Sequence, residues 1–365
     1  MAPNTIEDLL ARLVRFPTVT KDLQANHQAL DFIADFLSKR GMYIERFDAH
    51  GFESLVATVR PGQKTPTVML GAHLDVVPAA EELFDPRVED DRIYGRGVLD
   101  MKFAIASYLT LVDEWQGSLL DYDFGIMITT DEENAGNSVR RLLEEGYQPK
   151  VCIIPDGGDD WQLQLTSRAF NHIRLRTFGK QAHGSRPWLG ENAILPLIDA
   201  LGEIRQLFGE NIPQASTLNI GTIKGGTALN QVPDYAEASL DIRSKDTEME
   251  LLDPKIKAIC QKYNVEYTVV VEGSATNFKL NDPYIAPFVR HIKAVTGIDV
   301  IGSHTYGSND TRFFTAYNIP CISLYVTGGG HHGPEEWVSR RALAQFKEVL
   351  GRYLNEMARP TPGQI

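Results

Sequence analysis

Histidine and acidic residues stand at the ends of apolar segments in this sequence of 365 residues. The segments are TVMLGAHLDVV, FGIMITTDEE, KVCIIPD and IPCISLYVTGGGHHG, and the residues are His73, Asp75, Asp131, Glu132, Glu133, Asp156, His331 and His332. Crowded carboxylates repel one another and raise each other's pKa unless a cation neutralises them. Neutral imidazoles combined with carboxylates suit zinc and similar divalent ions. The pattern therefore indicates a metal site.

Asp100, which follows the turn-like sequence GRGVL, adds a further carboxylate. With two or more histidines and several acids, two metal ions about 3.5–4 Å apart and bridged by one carboxylate are a plausible arrangement. Such a pair acidifies a bridging water, and a free carboxylate beside it can act as general base. Because Glu132 and Glu133 are adjacent, one can hold metal while the other stays free.

Each of these features also has a structural explanation when it is taken alone. Asp100 can be the N-cap of the helix that follows it. The DEE triplet can be a solvated helix start, the HLD sequence can be structural, and GGGHHG can be a flexible loop. The metal-site hypothesis depends on finding all of these features in order, each at the end of a predicted core element.

Apolar strand patterns alternate with helical patterns in the first half of the chain and again near its C-terminus. The helical stretches include NHQALDFIADFLSKRG, MKFAIASYLTLVDEW and RALAQFKEVLGRYLNEM. This alternation predicts an α/β domain whose mainly parallel sheet carries helices on both faces. In such sheets ligands bind beyond the carboxyl ends of the strands, which is where the titratable residues lie.

The middle of the chain has a different pattern, because HIRLRTF, TLNIGTIKG, AEASLDIRS and VEYTVVVEG alternate apolar and polar residues. Two-residue alternation is typical of an antiparallel sheet with one solvated face. We therefore predict an inserted α+β domain at 171–277, within a catalytic domain formed by 1–170 and 278–365.

Composition limits the partners and the compartment. The formal net charge is −12 and no dense block of Lys and Arg occurs, so nucleic acid is not expected as a partner. No segment approaches the roughly 20 apolar residues of a membrane-spanning helix, and the N-terminus lacks signal-peptide features, so no membrane partner and a cytoplasmic location are expected. The three cysteines are far apart and are expected to be buried, reduced thiols.

Five motifs in order resemble the M20 family of dinuclear zinc peptidases and amidohydrolases. They are GAHLDVVP, GRGVLDMK, TTDEENAG, IIPDGG and HHGPEEWV. In the predicted insert, GKQAHGSRPWLGENAI and LNQVPDYAEASLDIR are similar to the family's lid domain. The resemblance covers nearly the whole chain. It implies two divalent metal ions, with zinc as the expected metal and cobalt or manganese as alternatives.

The resemblance also implies the ligands. The first metal position would comprise His73 and Asp156, and the second Glu133 and His332. Asp100 would bridge the two positions and precede a cis peptide bond. Counting back from Glu336 selects His332 rather than His331, which is expected to face away, although His331 stays open as the alternative ligand.

Three further roles in catalysis follow from the same resemblance. Asp75 would hold the His73 imidazole in one tautomer. Glu132 would be the general base that deprotonates the water attacking an amide carbonyl. His183 resembles the family's lid histidine, which stabilises the oxyanion and in dimeric members reaches the partner subunit's site.

The implied substrate contacts are less sharply defined by the sequence. Asn230 and Arg243 resemble lid residues that meet the substrate, although Arg243 can equally pair with Asp241. Gly307 lies in SHTYGSNDTRFF, which departs from the family's glycine-rich substrate loop, and Gly329 lies in the TGGGHHG stretch. A homodimer through the lid domain is expected.

Asp156 favours a small peptide as substrate, because the family's deacetylases and desuccinylases usually have Glu at that position. A dipeptidase or carboxypeptidase-like activity is therefore predicted. An N-acyl amino acid deacylase and a non-catalytic peptide-binding protein are the alternatives. A serine hydrolase based on Ser185 is disfavoured, because HGSRP lacks the G-x-S-x-G pattern.

Overall fold

The structure is a computed structural model that describes residues 5–134, 136–245 and 248–359. Its contacts divide the chain into two compact units. The first unit is formed by Met1–Thr166, Asn277–Thr305 and Asn309–Ile365, and the second by Ser167–Thr276 and Tyr306–Ser308. The stretch Tyr306–Ser308, which the sequence analysis assigned to the catalytic domain, groups with the second unit. There the Arg168 guanidinium lies 5.0 Å from the centre of the Tyr306 ring.

The described part of the chain forms α-helices and β-strands, each numbered in chain order. The α-helices are α1 (Ile6–Val14), α2 (Leu23–Ser38), α3 (Phe103–Glu114), α4 (Ser138–Glu144), α5 (Ile194–Gln206), α6 (Glu248–Lys262), α7 (Ala286–Thr296), α8 (Thr311–Thr315) and α9 (Arg340–Met357). The strands are β1 (Tyr43–Ala49), β2 (Phe52–Thr58), β3 (Val68–His73), β4 (Arg87–Glu89), β5 (Arg92–Tyr94), β6 (Phe124–Thr129), β7 (Val151–Ile153), β8 (Gln164–Ser167), β9 (Ala169–Phe178), β10 (Ala182–His183), β11 (Thr217–Gly225), β12 (Gln231–Val232), β13 (Tyr235–Ser244), β14 (Glu266–Gly273), β15 (Thr276–Asn277), β16 (Ser303–His304), β17 (Cys321–Ile322), β18 (Gly328–Gly329) and β19 (Trp337–Ser339).

The first unit is built on a six-stranded sheet of order β1-β2-β6-β3-β7-β17. The strands β6, β3, β7 and β17 are parallel, and β1 and β2 form an antiparallel edge. Every residue of β3, β6 and β7 is buried, as expected for apolar strands of a parallel sheet covered on both faces. Two helix groups pack here, α1, α2, α3, α7 and α9 in one and α4 with α8 in the other. The α/β prediction is confirmed.

The second unit contains an antiparallel sheet of order β11-β13-β9-β14. Buried and partly exposed residues alternate along β9 and β13, which matches the two-residue periodicity of their sequences. The helices α5 and α6 pack against each other and contribute Leu197, Ile204 and Ile256 to a core of their own. The predicted α+β insert with an antiparallel sheet is therefore confirmed as a fold.

Two properties of the described residues bear on the environment of the protein. Within these residues, no helix combines the length and the apolar character needed to cross a bilayer. Cys152, Cys260 and Cys321 are free and buried, as the sequence analysis expected.

Candidate metal centre

The carboxyl ends of the parallel strands bring the predicted site residues together in the first unit. Strand β3 ends at His73, which is in register with Thr129 at the end of β6. A short 3-10 turn, Glu132–Asn134, follows β6. Asp156 follows β7, and the loop beyond β17 carries the two adjacent histidines. Because parallel strands end at one edge of the sheet, four separate segments deliver polar side chains to one place.

Asp100 is at the centre of this cluster and is 4% exposed. Its Oδ1 lies 3.0 Å from His73 Nε2, and its Oδ2 lies 3.1 Å from His332 Nε2 and 2.6 Å from His331 Nε2. His332 Nε2 is also 3.1 Å from Glu133 Oε1. One carboxylate thus faces histidines with both of its oxygens, as a bridging metal ligand must.

Asp100 is not the N-cap that the sequence analysis considered. It lies inside a short helical segment, Val98–Lys102, and its own φ and ψ of −125° and 91° are not helical. Lys102 precedes α3, and no side chain among the described residues caps that helix. The peptide bond between Asp100 and Met101 is cis, as the family resemblance implied. The Asp100 carboxylate contacts His73 and His332 rather than the backbone of α3.

Asp75 fixes both His73 and the turn that carries the two glutamates. The closest contact of His73 Nδ1 is the backbone oxygen of Asp75 at 3.0 Å, whereas the Asp75 carboxylate is 3.5 Å away. That carboxylate accepts hydrogen bonds from the backbone N–H groups of Glu132 and Glu133, at 3.3 and 3.2 Å. When Nδ1–H donates to the Asp75 carbonyl, the lone pair of His73 Nε2 faces the cluster, which is the geometry of an imidazole ligand.

Asp156 presents one free oxygen to the cluster. Its Oδ1 accepts a hydrogen bond of 2.7 Å from the Tyr325 hydroxyl. Its Oδ2 is buried and has no hydrogen-bond partner among the residues that the structure describes. Asn309 donates to the Asp156 backbone oxygen and so holds the residue from the other side. A buried carboxylate oxygen without a partner is costly, and a cation would satisfy it.

The donor atoms therefore fit divalent metal ions. One donor atom each from His73, Asp100 and Asp156 lies within 4.8 Å of the other two. The same is true of Asp100, His331 and His332. Two ligands of one tetrahedral zinc ion lie roughly 3.4 Å apart, so the observed spacing requires only small adjustments. The set contains imidazole nitrogens and carboxylate oxygens, the ligands of zinc, cobalt and manganese sites.

The charges in the cluster perturb one another. Burial, followed by the charge of Asp100, raises the pKa of Asp156 to about 6. Burial and then the charge of Asp156 raise the pKa of Glu132 well above its usual value. Burial opposes ionisation of Asp100 as well, but its hydrogen bonds with the histidines hold its pKa well below the usual value. A bound cation would favour the charged form of every carboxylate here.

Glu336, which follows the expected ligand His332 by four residues, supports the site through its contacts. Its buried carboxylate accepts hydrogen bonds from the backbone N–H groups of Leu99 and Asp100, at 2.9 and 3.2 Å. It also pairs with Arg96 at 2.7 Å, and Arg96 in turn donates to the His332 carbonyl at 3.0 Å. This network ties the segment of Asp100 to the loop of His332.

The sequence analysis expected His331 to face away from the site, but the structure directs its imidazole at Asp100. Gly330 and His332 both have left-handed φ values, +74° and +57°, so the backbone turns sharply at this point. A Cβ atom on Gly330 would lie 2.1 Å from the Glu335 carbonyl oxygen, so only glycine fits there. Adjacent side chains of an extended chain point to opposite sides, but this turn directs both imidazoles at Asp100. The glycine triplet before the histidines is the sequence signal for such a turn.

Three of the other predicted residues lie in the second unit. His183 and Asn230 are neighbours, because the N–H of Gly184, which follows His183, donates to the Asn230 carbonyl at 2.7 Å. Arg243 makes a two-pronged contact with the Asp241 carboxylate at 2.8 and 3.2 Å, the pairing that the sequence left open. The substrate roles of these residues remain predictions.

The two glycines predicted to contact substrate lie in different units. Gly307 belongs to the second unit, in Tyr306–Ser308, and no atom of the part of the chain that the structure describes lies within 4 Å of a Cβ atom placed on it. Gly329 lies in β18 of the first unit, where a Cβ atom would approach the Trp337 indole nitrogen to 2.9 Å. Their contact with substrate remains a prediction.

Comparison with known proteins gives consistent results. The model of peptidase family M20/M25/M40 matches residues 69–356. Succinyl-diaminopimelate desuccinylase of Acinetobacter baylyi is 27% identical over 373 residues, which cover 96% of this chain and 98% of the relative. Two solved structures share the fold. A tripeptidase of Staphylococcus aureus matches with a TM-score of 0.80 and 21% identity, over 97% of this chain and 98% of the other. Aminopeptidase PepT of Bacillus cereus matches with a TM-score of 0.76 and 20% identity, over 96% and 98%.

Proposed function

The chain belongs to peptidase family M20/M25/M40, and from that premise we propose that it is a dinuclear metallopeptidase that hydrolyses an amide bond of a small peptide. Enzymes of this family are metal-dependent hydrolases of amide bonds. The observation that carries the proposal is a cluster in the first unit of three imidazoles and three carboxylates. They belong to His73, His331 and His332 and to Asp100, Glu133 and Asp156. A structural cluster of this composition would leave buried carboxylates uncompensated.

In this proposal His73 and Asp156 hold the first metal position, and Glu133 and His332 hold the second, with Asp100 shared. Bound divalent ions would polarise the substrate carbonyl and acidify a water molecule. Zinc is the proposed metal, because imidazole and carboxylate ligands suit it, with cobalt or manganese as alternatives. Asp75 keeps His73 in the required tautomer and holds the turn of Glu132 and Glu133 in place.

Glu132 is the proposed general base. It would accept the proton of the attacking water and pass it to the leaving amine nitrogen. The Asp75 carboxylate accepts a hydrogen bond from its backbone N–H, and burial followed by the charge of Asp156 raises the pKa of its carboxyl, which supports a role as proton acceptor. Glu133, its neighbour on the same turn, contacts His332 instead. The two glutamates therefore divide the roles of base and ligand.

His183 is the proposed donor to the oxyanion of the tetrahedral intermediate. Its Nδ1 accepts a hydrogen bond of 3.2 Å from the backbone N–H of Ser185, which leaves the proton of the neutral ring on Nε2. We expect His183→Ala to lower kcat by about 10²–10³-fold, since that is the typical effect of removing one oxyanion donor. Metal content should not change. Steady-state kinetics and elemental analysis, with His291→Ala as the control, test this, and an unchanged kcat would remove the proposed role.

Two substrate classes are compatible with this centre. Asp156 at the first metal position favours peptides, by the family pattern. The similarity to succinyl-diaminopimelate desuccinylase favours the alternative, an N-acyl amino acid deacylase that uses the same residues. A protein that binds peptides without cleaving them is the remote alternative, and the presence of Glu132 beside a complete ligand set argues against it.

A hydrolysis screen distinguishes these three functions. The zinc-loaded protein is incubated with di- and tripeptides and with N-acetyl and N-succinyl amino acids, with and without a chelator. We expect cleavage of the peptides, abolished by the chelator and restored by added zinc. The reason is that the proposed attacking water is acidified only when metal is bound. Cleavage of the acylated amino acids alone would establish the deacylase. Bound metal without any cleavage would favour the binding protein.

We further propose a homodimer formed through the second unit. Strand β11 is an edge of its sheet, and all of its residues from Thr222 to Gly225 are exposed. On α5, Leu195 and Ile198 are 59% and 54% exposed. An unpaired strand edge beside exposed apolar side chains is typical of a surface that another chain covers.

The three free cysteines support a reducing compartment, so we place the protein in the cytoplasm.

A further inference from the structure

Two adjacent imidazoles converge on one oxygen of Asp100. His331 Nε2 lies 2.6 Å from Asp100 Oδ2, and His332 Nε2 lies 3.1 Å from the same atom. The two rings are stacked, with centroids 3.9 Å apart and planes 27° from parallel. Both use the same ring nitrogen and reach the same side of the loop. A single cation beside Asp100 Oδ2 would therefore lie within reach of both histidines.

We propose that His331 is a ligand of the second metal position, in addition to His332, Glu133 and Asp100. This inference rests on the proposed metal centre and extends it, because the family resemblance supplies only one of the two histidines. The second position then has two imidazoles and two carboxylates. The first position, with His73, Asp156 and Asp100, has one imidazole and two carboxylates.

The backbone supports this assignment. His332 has a φ of +57°, a left-handed conformation that is uncommon outside glycine and is enriched at functional sites. It is this conformation, together with the turn at Gly330, that brings two consecutive side chains to one side. On the other face of His331, the Tyr325 ring lies 5.6 Å from the imidazole centroid. The ring is thus held between Tyr325 and His332 rather than free in solvent.

A simple surface ion pair does not account for the arrangement equally well. The His331 side chain is 46% exposed, and exposed ion pairs contribute little to stability because solvent screens them. Asp100 also has two other imidazole neighbours, so His331 is not needed to satisfy its carboxylate. As a metal ligand, His331 would give the exposed side of the second position a fourth protein donor, and a zinc ion that also holds the attacking water would then be five-coordinate.

Unequal ligand sets predict unequal metal preferences. Imidazole nitrogens favour zinc, cobalt and nickel, whereas carboxylate oxygens suit manganese better. The second position should therefore select zinc or cobalt, and the first should accept manganese more readily. The protein supplied with a mixture of zinc and manganese should bind one ion of each.

The experiment measures metal binding directly in the whole 365-residue chain. Metal-free wild type, His331→Ala and the control His27→Ala are titrated with zinc against a chromophoric chelator, and cobalt loading is followed by its visible absorption. His27 is a suitable control because it also contacts carboxylates, those of Asp31 and Glu53, in a part of the first unit that holds none of the proposed ligands. Thermal unfolding of the metal-free proteins verifies that each variant folds.

We expect His331→Ala to keep one tight site and to bind the second ion roughly 100-fold or more weakly, since even residues that only support a ligand are worth about 10–100-fold in affinity. The absorption of the second cobalt ion should change, and added imidazole should restore it. Equal weakening of both sites would mean that His331 only positions Asp100 and would overturn the inference. So would binding identical to that of the wild type. A wild type that binds no metal would instead refute the proposed function itself.

Discussion

Replacing Glu132 with glutamine is expected to abolish most of the turnover while both metal ions stay bound. The amide has the size of the carboxylate but cannot accept a proton, so the attacking water loses its base. General bases contribute about 10²–10⁴-fold to rates, and we expect kcat to fall by roughly 10³-fold. Steady-state kinetics on the best peptide substrate, combined with elemental analysis of the purified variant, measure both parts of the prediction.

The control for this variant is Glu335→Gln. Glu335 lies next to the buried Glu336 in sequence, but its side chain is 69% exposed and pairs with Arg87 on the surface. It should retain the activity and the metal content of the wild type. If Glu132→Gln kept a kcat near that of the wild type, Glu132 would not be the base. If it lost a metal ion, Glu132 would be a ligand, and the division of roles between the two glutamates would be wrong.

The elements that carry this centre were predictable because their sequences leave few alternatives. Continuous apolar runs such as VMLGA and FGIMIT can only be buried strands of a covered sheet or buried helices, and their flanking turns decide between the two. If the sheet is parallel, the carboxyl ends of its strands lie along one edge. His73 ends one of two neighbouring parallel strands and Asp156 follows the other, and the two residues therefore lie near one another. The alternating residues of β9 and β13 identify the antiparallel sheet of the second unit for the same physical reason.

The supporting contacts were not predictable, since they join residues that are distant in sequence. The hydrogen bond between Tyr325 and Asp156 spans 169 positions, and that between Leu99 and Glu336 spans 237. No spacing in the sequence marks these residues as hydrogen-bond partners. The glycine triplet indicates a turn before His331, but the orientation of His331 also depends on the left-handed backbone of His332, which sequence patterns do not reveal for a residue other than glycine.

The role of Asp75 shows a subtler limit. The family resemblance implied that it orients His73, and the two residues are in contact in the structure, but through the Asp75 backbone oxygen. The carboxylate of Asp75 instead accepts hydrogen bonds from the turn of Glu132 and Glu133, and from the Thr20 hydroxyl at 2.8 Å. A residue type can thus indicate that a position matters without revealing which of its atoms makes the contact.

Asp100→Ala is expected to have the broadest effect of any single substitution, because both metal positions share this carboxylate. Its Oδ1 faces His73 and its Oδ2 faces His332, so its removal takes one ligand from each position. We expect the variant to lose at least one of the two ions at metal concentrations that saturate the wild type. Its kcat should fall by about 10³-fold or more, since two-metal catalysis requires both positions.

The comparison of Asp100→Ala with Glu132→Gln is the sharpest test of the whole assignment, because both variants should be inactive for different reasons. Excess zinc should partly restore Asp100→Ala and should not affect Glu132→Gln. Asp113→Ala is the control for loss of a partly buried carboxylate, since Asp113 pairs with Arg40 at 2.6 Å and is not among the proposed ligands. That variant is expected to melt at a lower temperature but to bind both ions. If Asp100→Ala bound two ions with wild-type affinity, Asp100 could not be the shared ligand, and the histidines around it would need another explanation.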